Sequence, residues 1–205
     1  MDAVRIITGT AVPLDRSDVD TDQIIPSDWL KQVERTGFDK GLFSEWRDDR
    51  DFVLNQEQFQ GANILIAGPN FGTGSSREHA VWSLQQFGIR AVIASSYAEI
   101  FYSNAMNNRL LLVTLPPETI EKLMVDAEDP AGNAIEIDIT SQTLKSRSVQ
   151  AGFELMPRHR KMFLEGLDSI GLSLTYQDQI AAFADAHWAR QPWVRDVAAT
   201  TKRRL

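Results

Sequence analysis

The 205-residue sequence contains no cysteine, which excludes disulfide bonds, thiol nucleophiles and thiolate-bound metal sites built by this chain alone. It also lacks an apolar run of about 18 residues, the length that a membrane-spanning helix needs. Acidic residues outnumber basic ones by 28 to 21, and a net charge of -7 argues against a general binder of polyanions. The first residues, MDAVRIITGTAVPLDR, have neither the basic nor the long apolar region of a signal peptide, so we expect a cytoplasmic protein.

The composition is that of an ordinary globular chain. Hydrophobic residues make up 43% of the sequence and charged residues 24%, proportions that favour a packed core over disorder. The length suits one domain, or one domain with an arm. We assign residues 1–186 to a single domain with a long arm near residues 27–50, and residues 187–205 to a C-terminal tail whose end we expect to fray.

Residues 63–149 alternate between strand and helix patterns. Short apolar runs rich in β-branched residues predict buried strands, and apolar residues at helical spacing predict the helices between them. The predicted elements are strands at 63–67, 90–94 and 110–115, helices at 76–87, 97–106 and 116–127, and a hairpin of strands at 134–139 and 143–149. Gly88 is predicted to end the helix at 76–87. A last helix is predicted near 176–189. Residues 1–60 predict a first strand or two and a long arm that crosses the surface.

The most informative segment is a glycine-rich turn, with the sequence NFGTGSSREHA at residues 70–80, between a predicted strand and a predicted helix. Gly72 and Gly74 allow backbone angles that are forbidden to other residues, and they let a ligand approach closely. The start of the helix offers free N–H groups and a positive dipole end, both of which attract anions. Because a cation there opposes the dipole, stability alone does not select Arg77, whose forked guanidinium suits a carboxylate or a phosphate.

Residue patterns alone leave three interpretations of this turn: a tight turn without a ligand, a nucleotide site, and a site for a small carboxylate. The nucleotide interpretation is the weakest, because the pattern matches neither G-x-G-x-x-G nor G-x-x-x-x-G-K-[ST]. Ser75 with Glu78 has the spacing of a capping box, but Ser76 can instead be the N-cap, which leaves Ser75 free for chemistry. We expect His79 to be a packed imidazole, since no second His or Cys lies nearby.

Long motifs in the same order resemble a known family. GTGSSREHA followed by FGIRAVIASSYAEIFYSNAMNNRLLLVTL resembles the swivelling domain of the aconitase superfamily. VPLDRSDVDTDQIIPSDWLK, RTGFDKGLFSEWR and GLDSIGLSL are similar to the small-subunit family of bacterial 3-isopropylmalate dehydratases. The resemblance runs from Gly9 to Ala186. It implies an α/β fold similar to domain 4 of aconitase, a swivelling β/β/α domain whose mixed, partly barrel-like sheet is flanked by helices.

The resemblance implies the small subunit of a two-chain hydro-lyase of leucine biosynthesis, which interconverts 2-isopropylmalate and 3-isopropylmalate by dehydration and rehydration. In this family a [4Fe-4S] cluster, bound by cysteines of a separate large subunit, acts as the Lewis acid. The implied partners are that large subunit and a small dicarboxylate, with no nucleic acid and no membrane, and the chain alone is expected to be inactive. The alternatives are a methylmalate or citraconate hydratase subunit, an RNA-binding module and a non-catalytic assembly protein.

The family motif also implies residue roles. Ser75 takes the position of the catalytic base, an alkoxide that removes a weakly acidic C–H proton. Ser76, Arg77 and Gly74 are implied to bind the substrate, and Ser76 and Arg77 match the family's contacts to the substrate carboxylate. The resemblance assigns no metal ligand to this chain.

Four further residues are implied to support this turn. Asn70 and Gly72 belong to the turn itself. Thr21 and Asp22 are implied either to lie at the active-site face or to serve as scaffold, and an acidic turn without a functional role is the other interpretation of their segment.

The segment of Trp29, Leu30 and Lys31 begins the loop that sets substrate choice in relatives. Members that use tricarboxylates carry an Arg shortly afterwards, at the position that Val33 takes here. The loss of a forked cation and the gain of an apolar side chain suit an isopropyl group better than a third carboxylate. Arg35 is near enough to reach inward, although a solvated position is its default.

Overall fold

The computed structural model describes residues 2–31, 34–74 and 77–202. The chain divides into two compact units, Met1–Asp168 and Ser169–Leu205. The domain boundary expected near residue 186 stays a prediction. Among the described residues, no helix combines the length and the apolar character that crossing a membrane requires.

A mixed sheet forms the centre of the first unit. Its described strands are β1 (Ile6–Leu14), β2 (Ile64–Ala67), β3 (Ala91–Ala94), β4 (Leu111–Thr114), β5 (Ala134–Asp138), β6 (Thr143–Lys145) and β7 (Gln150–Gly152). Across the described part of the sheet the order is β4-β3-β2-β1-β5-β6-β7. Strand β1 joins two halves, because residues 11–14 pair parallel with β2 whereas residues 6–10 pair antiparallel with β5.

The two halves of the sheet differ in burial. Every residue of β2 and β3 is buried, as expected for parallel strands covered on both faces. Strand β5 alternates between buried and exposed side chains, the pattern of an antiparallel strand with one solvated face. The mixed sheet flanked by helices, which the resemblance implied, is confirmed.

Helices connect and cover these strands. Those of the first unit are α1 (Thr21–Ile24), α2 (Ser44–Arg47), α3 (Glu78–Phe87), α4 (Glu99–Asn107), α5 (Pro117–Glu128) and α6 (Pro157–Glu165). Short 3-10 helices occupy Ser27–Lys31, Phe38–Gly41, Val53–Asn55 and Glu57–Phe59. Helix α3 ends as predicted at Gly88, which has a left-handed φ of +112° and whose N–H donates to the carbonyl groups of Gln85 and Leu84.

The second unit is helical where it is described. It contains α7 (Ser169–Leu174), α8 (Gln177–Arg190), a 3-10 turn at Pro192–Val194 and α9 (Val197–Lys202). Helix α8 agrees within one residue with the helix predicted near 176–189.

The arm does not simply cross the surface, and that prediction is wrong. Phe38, Leu42, Phe43, Phe52 and Phe59 are buried in the core of the first unit. The backbone N–H of Phe43 also donates to the carbonyl of Ile24 at 2.8 Å. These anchors follow no regular spacing along the chain, so they give no sustained helix or strand period that would reveal their burial.

The strand predicted at 143–149 is too long, because β6 covers only Thr143–Lys145, a turn follows, and β7 begins at Gln150. The carboxylate of buried Asp126 accepts hydrogen bonds from the hydroxyl of Ser146 at 2.6 Å and of Ser148 at 2.9 Å. These bonds stabilise a turn in a segment whose alternating pattern is also compatible with a strand.

Candidate functional site

The candidate site lies where the parallel strands β1, β2 and β3 end, the edge at which ligands bind in open α/β sheets. The N–H of Asp18, after β1, donates to the carbonyl of Pro69, after β2, at 3.0 Å. The amide of Asn70 donates to the Asp18 carboxylate at 2.7 Å, and the N–H of Asn70 donates to the hydroxyl of Ser96 at 2.8 Å. Asn70 therefore joins the segments that follow all three strands.

Asp18 and Ser96 were not among the predicted site residues. Each lies just beyond the end of a parallel strand, β1 and β3 respectively. Their position just after a parallel strand could have indicated them from the sequence, because the carboxyl ends of neighbouring parallel strands meet at one edge of the sheet.

The acidic segment around Thr21 lies directly against the glycine-rich turn. The N–H of Thr21 donates to the carbonyl of Thr73 at 2.9 Å, and the N–H of Gly72 donates to the carbonyl of Val19 at 2.7 Å. Thr21 is only 2% exposed. The two segments are thus hydrogen-bonded as neighbouring extended chains, and buried Thr21 lies directly against the turn.

A capping box holds the start of α1 beside the turn. The carboxylate of Asp20 accepts from the N–H of Gln23 at 2.7 Å, and the Gln23 side chain accepts from the N–H of Asp20 at 2.9 Å. A Cβ placed on Gly74 would lie 3.5 Å from Cβ of Asp20, which is an ordinary packing distance. Gly74 therefore packs on this capped helix start, and its φ of +87° still favours glycine.

Gly72 is required for two separate reasons. Its φ is +82°, a left-handed conformation that side chains with a Cβ rarely adopt. A Cβ at this position would also lie 2.2 Å from Cγ of Phe101. Phe101 is buried and packs edge-on against Phe71 with ring centres 5.3 Å apart, so it has little room to move.

Arg77 and Asp22 form an ion pair at the start of α3. The Nη1 of Arg77 donates to Oδ1 of Asp22. The Arg77 side chain is 24% exposed and that of Asp22 is 54% exposed, so the pair lies at the rim of the site. The arrangement brings together two residues that the sequence analysis placed in separate motifs.

Helix α3 starts two residues later than predicted. Arg77 is its N-cap residue, and its carbonyl accepts from the N–H of Ala80 at 3.2 Å. The capping box predicted for Ser75 with Glu78 involves a residue outside the described part of the chain. Within the described part, Glu78 is the first helical residue and its carboxylate accepts from the Asn108 side chain at 2.6 Å. Ser76, the alternative N-cap, also lies outside the described residues, and the described N-cap position belongs to Arg77.

Three predicted site residues lie outside the part of the chain that the structure describes. They are the proposed base Ser75, its neighbour Ser76, and Val33 of the substrate loop. Their roles stay predictions.

The start of the substrate loop is anchored by Trp29. Its indole N–H donates to the hydroxyl of Ser44 at 3.3 Å. A Cβ on Gly41 would lie 2.7 Å from Cγ of Trp29, so glycine at this position lets the indole pack directly on the backbone. The ring thereby joins the loop to the first turn of α2.

Leu30 and Lys31 have different surroundings. Leu30 is half-buried against the hydrophobic core. Lys31 forms an ion pair with Asp28 at 2.9 Å, but the two side chains are 80% and 87% exposed. Among the predicted loop residues that the structure describes, Trp29 and Leu30 therefore provide the packing, and Lys31 lies in solvent.

Helix α3 presents aromatic side chains to the residues that follow the loop. The His79 ring lies 5.2 Å from that of Phe38 and 4.8 Å from that of Trp82, so the prediction of a packed imidazole is confirmed. The guanidinium carbon of Arg35 lies 5.4 Å from the centre of the Trp82 ring. This is a cation–π arrangement that the default of a solvated Arg35 did not anticipate.

The chain's own residues do not fit an iron–sulfur cluster. Such clusters are held by cysteine thiolates, and the sequence contains no cysteine. The described residues also contain no group of three or more His, Asp or Glu side chains arranged to hold a metal ion. Any cluster that serves this site needs ligands from another chain.

Comparison with known proteins agrees with this architecture. The aconitase C-terminal domain family matches residues 1–118. The alignment with the 3-isopropylmalate dehydratase small subunit 1 of Chromobacterium violaceum is 205 positions long, is 51% identical and covers 97% of each chain. The 3-isopropylmalate dehydratase small subunit of Frankia alni is 55% identical over 183 residues, or 89% of this chain and 94% of that one.

A solved structure is similar as well. The crystal structure of 3-isopropylmalate dehydratase (LeuD) from Methanocaldococcus jannaschii is 28% identical, with a TM-score of 0.63 over 87% of this chain and 99% of that chain. Sequence similarity to these relatives thus extends over 89–97% of this chain and structural similarity over 87% of it, whereas the domain family matches residues 1–118. The chain belongs to the family of 3-isopropylmalate dehydratase small subunits, within the aconitase superfamily.

Proposed function

We propose that this chain is the small subunit of a two-chain hydro-lyase that interconverts 2-isopropylmalate and 3-isopropylmalate by dehydration and rehydration in leucine biosynthesis. The observation that carries the proposal is the 51% identity to a 3-isopropylmalate dehydratase small subunit over 97% of both chains. No feature of the described residues favours a methylmalate or citraconate substrate instead.

Arg77 is the proposed contact for a substrate carboxylate. Its ion pair with Asp22 fixes the guanidinium at the start of α3. Because an Arg side chain has five N–H donors, one bond to Asp22 leaves others for a ligand. The positive end of the ten-residue helix adds to the attraction for an anion.

Ser75 is the proposed base that removes the C–H proton. A serine hydroxyl is a weak base unless N–H donors and a cation stabilise its anion and water is excluded. The turn around Gly72 and Gly74 and the nearby Arg77 are suited to the first two requirements. Closure by the large subunit would meet the third.

The partner in this proposal is the large subunit. The names of the relatives, all small subunits, support a large-subunit partner. A [4Fe-4S] cluster supplies a Lewis acid for the departing hydroxyl when it is bound, and we assign it to the large subunit because this chain has no cysteine. We place the pair in the cytoplasm, with no nucleic acid partner, in line with the net charge of -7.

The substrate is tested with this chain reconstituted with its large subunit. We expect kcat/KM for 3-isopropylmalate to exceed that for 3-methylmalate by about 100-fold, since each of the two missing carbons in an apolar pocket lowers kcat/KM by about 10-fold or more. Preference for methylmalate would contradict the substrate assignment. Ser75→Ala should abolish turnover without preventing assembly of the pair, and a variant that stays near wild-type activity would contradict the assignment of the base.

A further inference from the structure

Helix α3 connects the candidate site to the segment that follows the substrate loop. Arg77 is its N-cap, and one face further along carries His79, Trp82 and Gln86 at spacings of three and four residues. This face lies against Phe38, whose ring centre is 5.2 Å from that of His79 and 5.9 Å from that of Trp82. The helix is therefore a direct physical link between the site and residues 35–38.

Gln86 binds the backbone of this segment with both ends of its amide. Its Oε1 accepts from the N–H of Phe38 at 2.9 Å, and its Nε2 donates to the carbonyl of Arg35 at 2.9 Å. The bonded groups are backbone atoms on either side of a short bend, so the amide fixes the path of the chain. The cation–π contact of Arg35 on Trp82 supports the same placement.

The other end of the loop is anchored independently. Trp29 packs on Gly41 and donates to Ser44. The chain between Trp29 and Arg35 is thus held at both ends. Gln86 lies nine residues after Arg77, which corresponds to about 13 Å along a helix. Because a helix is rigid over that distance, the positions of Arg77 and of the Gln86 anchor are coupled.

We propose that Gln86 is a positioning residue for substrate binding, which sets the substrate loop relative to Arg77 without touching the substrate. The inference rests on the proposed function, since it assumes that the loop beginning at Trp29 selects the substrate. Loss of the Gln86 amide releases the backbone at Arg35 and Phe38 and leaves the start of α3 in place. The effect therefore falls on substrate affinity rather than on the chemical step.

The test compares Gln86→Ala with Gln85→Ala, each paired with the wild-type large subunit. Gln85 is a matched control on the same helix, because its amide donates to the carbonyl of Asn108 at 2.8 Å and not to the loop segment. For Gln86→Ala we expect KM for 3-isopropylmalate to rise about 10-fold, from the loss of two neutral hydrogen bonds, with kcat within about twofold of wild type. Gln86→Glu, which keeps the acceptor and loses the donor, should raise KM about threefold.

A second measurement does not depend on activity. In the isolated chain, hydrogen exchange at the N–H of Phe38 should be about 10-fold faster in Gln86→Ala than in wild type or Gln85→Ala, because only the first variant removes its acceptor. The inference is overturned by unchanged exchange, by equal KM values in the two alanine variants, or by a loss of kcat at constant KM. A wild-type pair that does not turn over 3-isopropylmalate refutes the proposed function, and exchange still decides separately whether Gln86 holds the segment.

Discussion

Replacing Gly72 by alanine tests how the glycine-rich turn is built. The substitution has two effects. The alanine must adopt a φ of +82°, and its added Cβ would lie 2.2 Å from Cγ of buried Phe101. The left-handed conformation costs about 1–2 kcal/mol for a residue with a Cβ. Forcing an extra carbon into a packed core costs about 1–3 kcal/mol more.

We therefore expect Gly72→Ala to lower the free energy of unfolding by about 2–5 kcal/mol, the sum of these two contributions. Two other glycines separate the contributions. Gly74 has φ +87° and a nearest neighbour at 3.5 Å, and Gly61 has φ +75° with nothing within 4 Å. Alanine at either position should cost only about 1–2 kcal/mol, the conformational part alone.

Urea unfolding followed by circular dichroism measures the difference. With a denaturant slope of about 2 kcal/mol per molar, the midpoint for Gly72→Ala should fall by about 1–2.5 M, and the midpoints of the two controls by less than about 1 M. If all three variants lost the same stability, the close packing of Phe101 on the turn would be refuted. Turnover by the reconstituted pair should also fall further for Gly72→Ala than for Gly61→Ala, because a displaced Phe101 shifts the turn.

Three further substitutions give distinct expected results. Asp22→Asn should raise KM for 3-isopropylmalate about 10-fold in steady-state assays, because it loosens Arg77. The free energy of unfolding should change by less than about 1 kcal/mol, because the ion pair is partly exposed. An unchanged KM would argue against a role of Asp22 in holding Arg77. Burial alone would raise the pKa of Asp126, but hydrogen bonds from two serine residues hold it below its usual range. Asp126→Asn should therefore lower the free energy of unfolding by about 1–3 kcal/mol at pH 7, with a difference that shrinks as the pH falls through the lowered pKa in acid unfolding series. Burial also lowers the pKa of His159, whose buried Nδ1 has no hydrogen-bond partner in the described part of the chain. The wild-type protein should therefore lose thermal stability as the pH falls below about 6.5, whereas His159→Phe should not. Equal pH dependence of thermal stability in the two proteins would contradict this.

The alternation of strands and helices in residues 63–128 could be predicted from the sequence. Its strands are buried apolar runs, and Gly88 marks the end of helix α3 through its own backbone conformation. The importance of the turn at Gly72 could also be predicted, because glycines between a strand and a helix indicate backbone angles that other residues rarely adopt. These features depend on residues close together in the chain.

The features that could not be predicted depend on contacts between distant residues. The bond from Thr21 to Thr73, the ion pair of Asp22 with Arg77 and the anchor at Gln86 each join segments about 50 residues apart. Helix α3 starts later than its capping pattern indicated: Arg77 is its N-cap, and the carboxylate of Glu78 accepts from the side chain of Asn108, which follows α4. Local propensity gave way to tertiary contacts in each case.

The central claim is that this chain contributes the substrate-binding turn and the proposed base to a site completed by a large subunit. The most direct test measures formation of the unsaturated dicarboxylate from 3-isopropylmalate by the purified chain, by the large subunit and by the two together. We expect turnover only when both chains are present. Turnover by this chain alone, or by the large subunit without it, would contradict a site shared between the two chains.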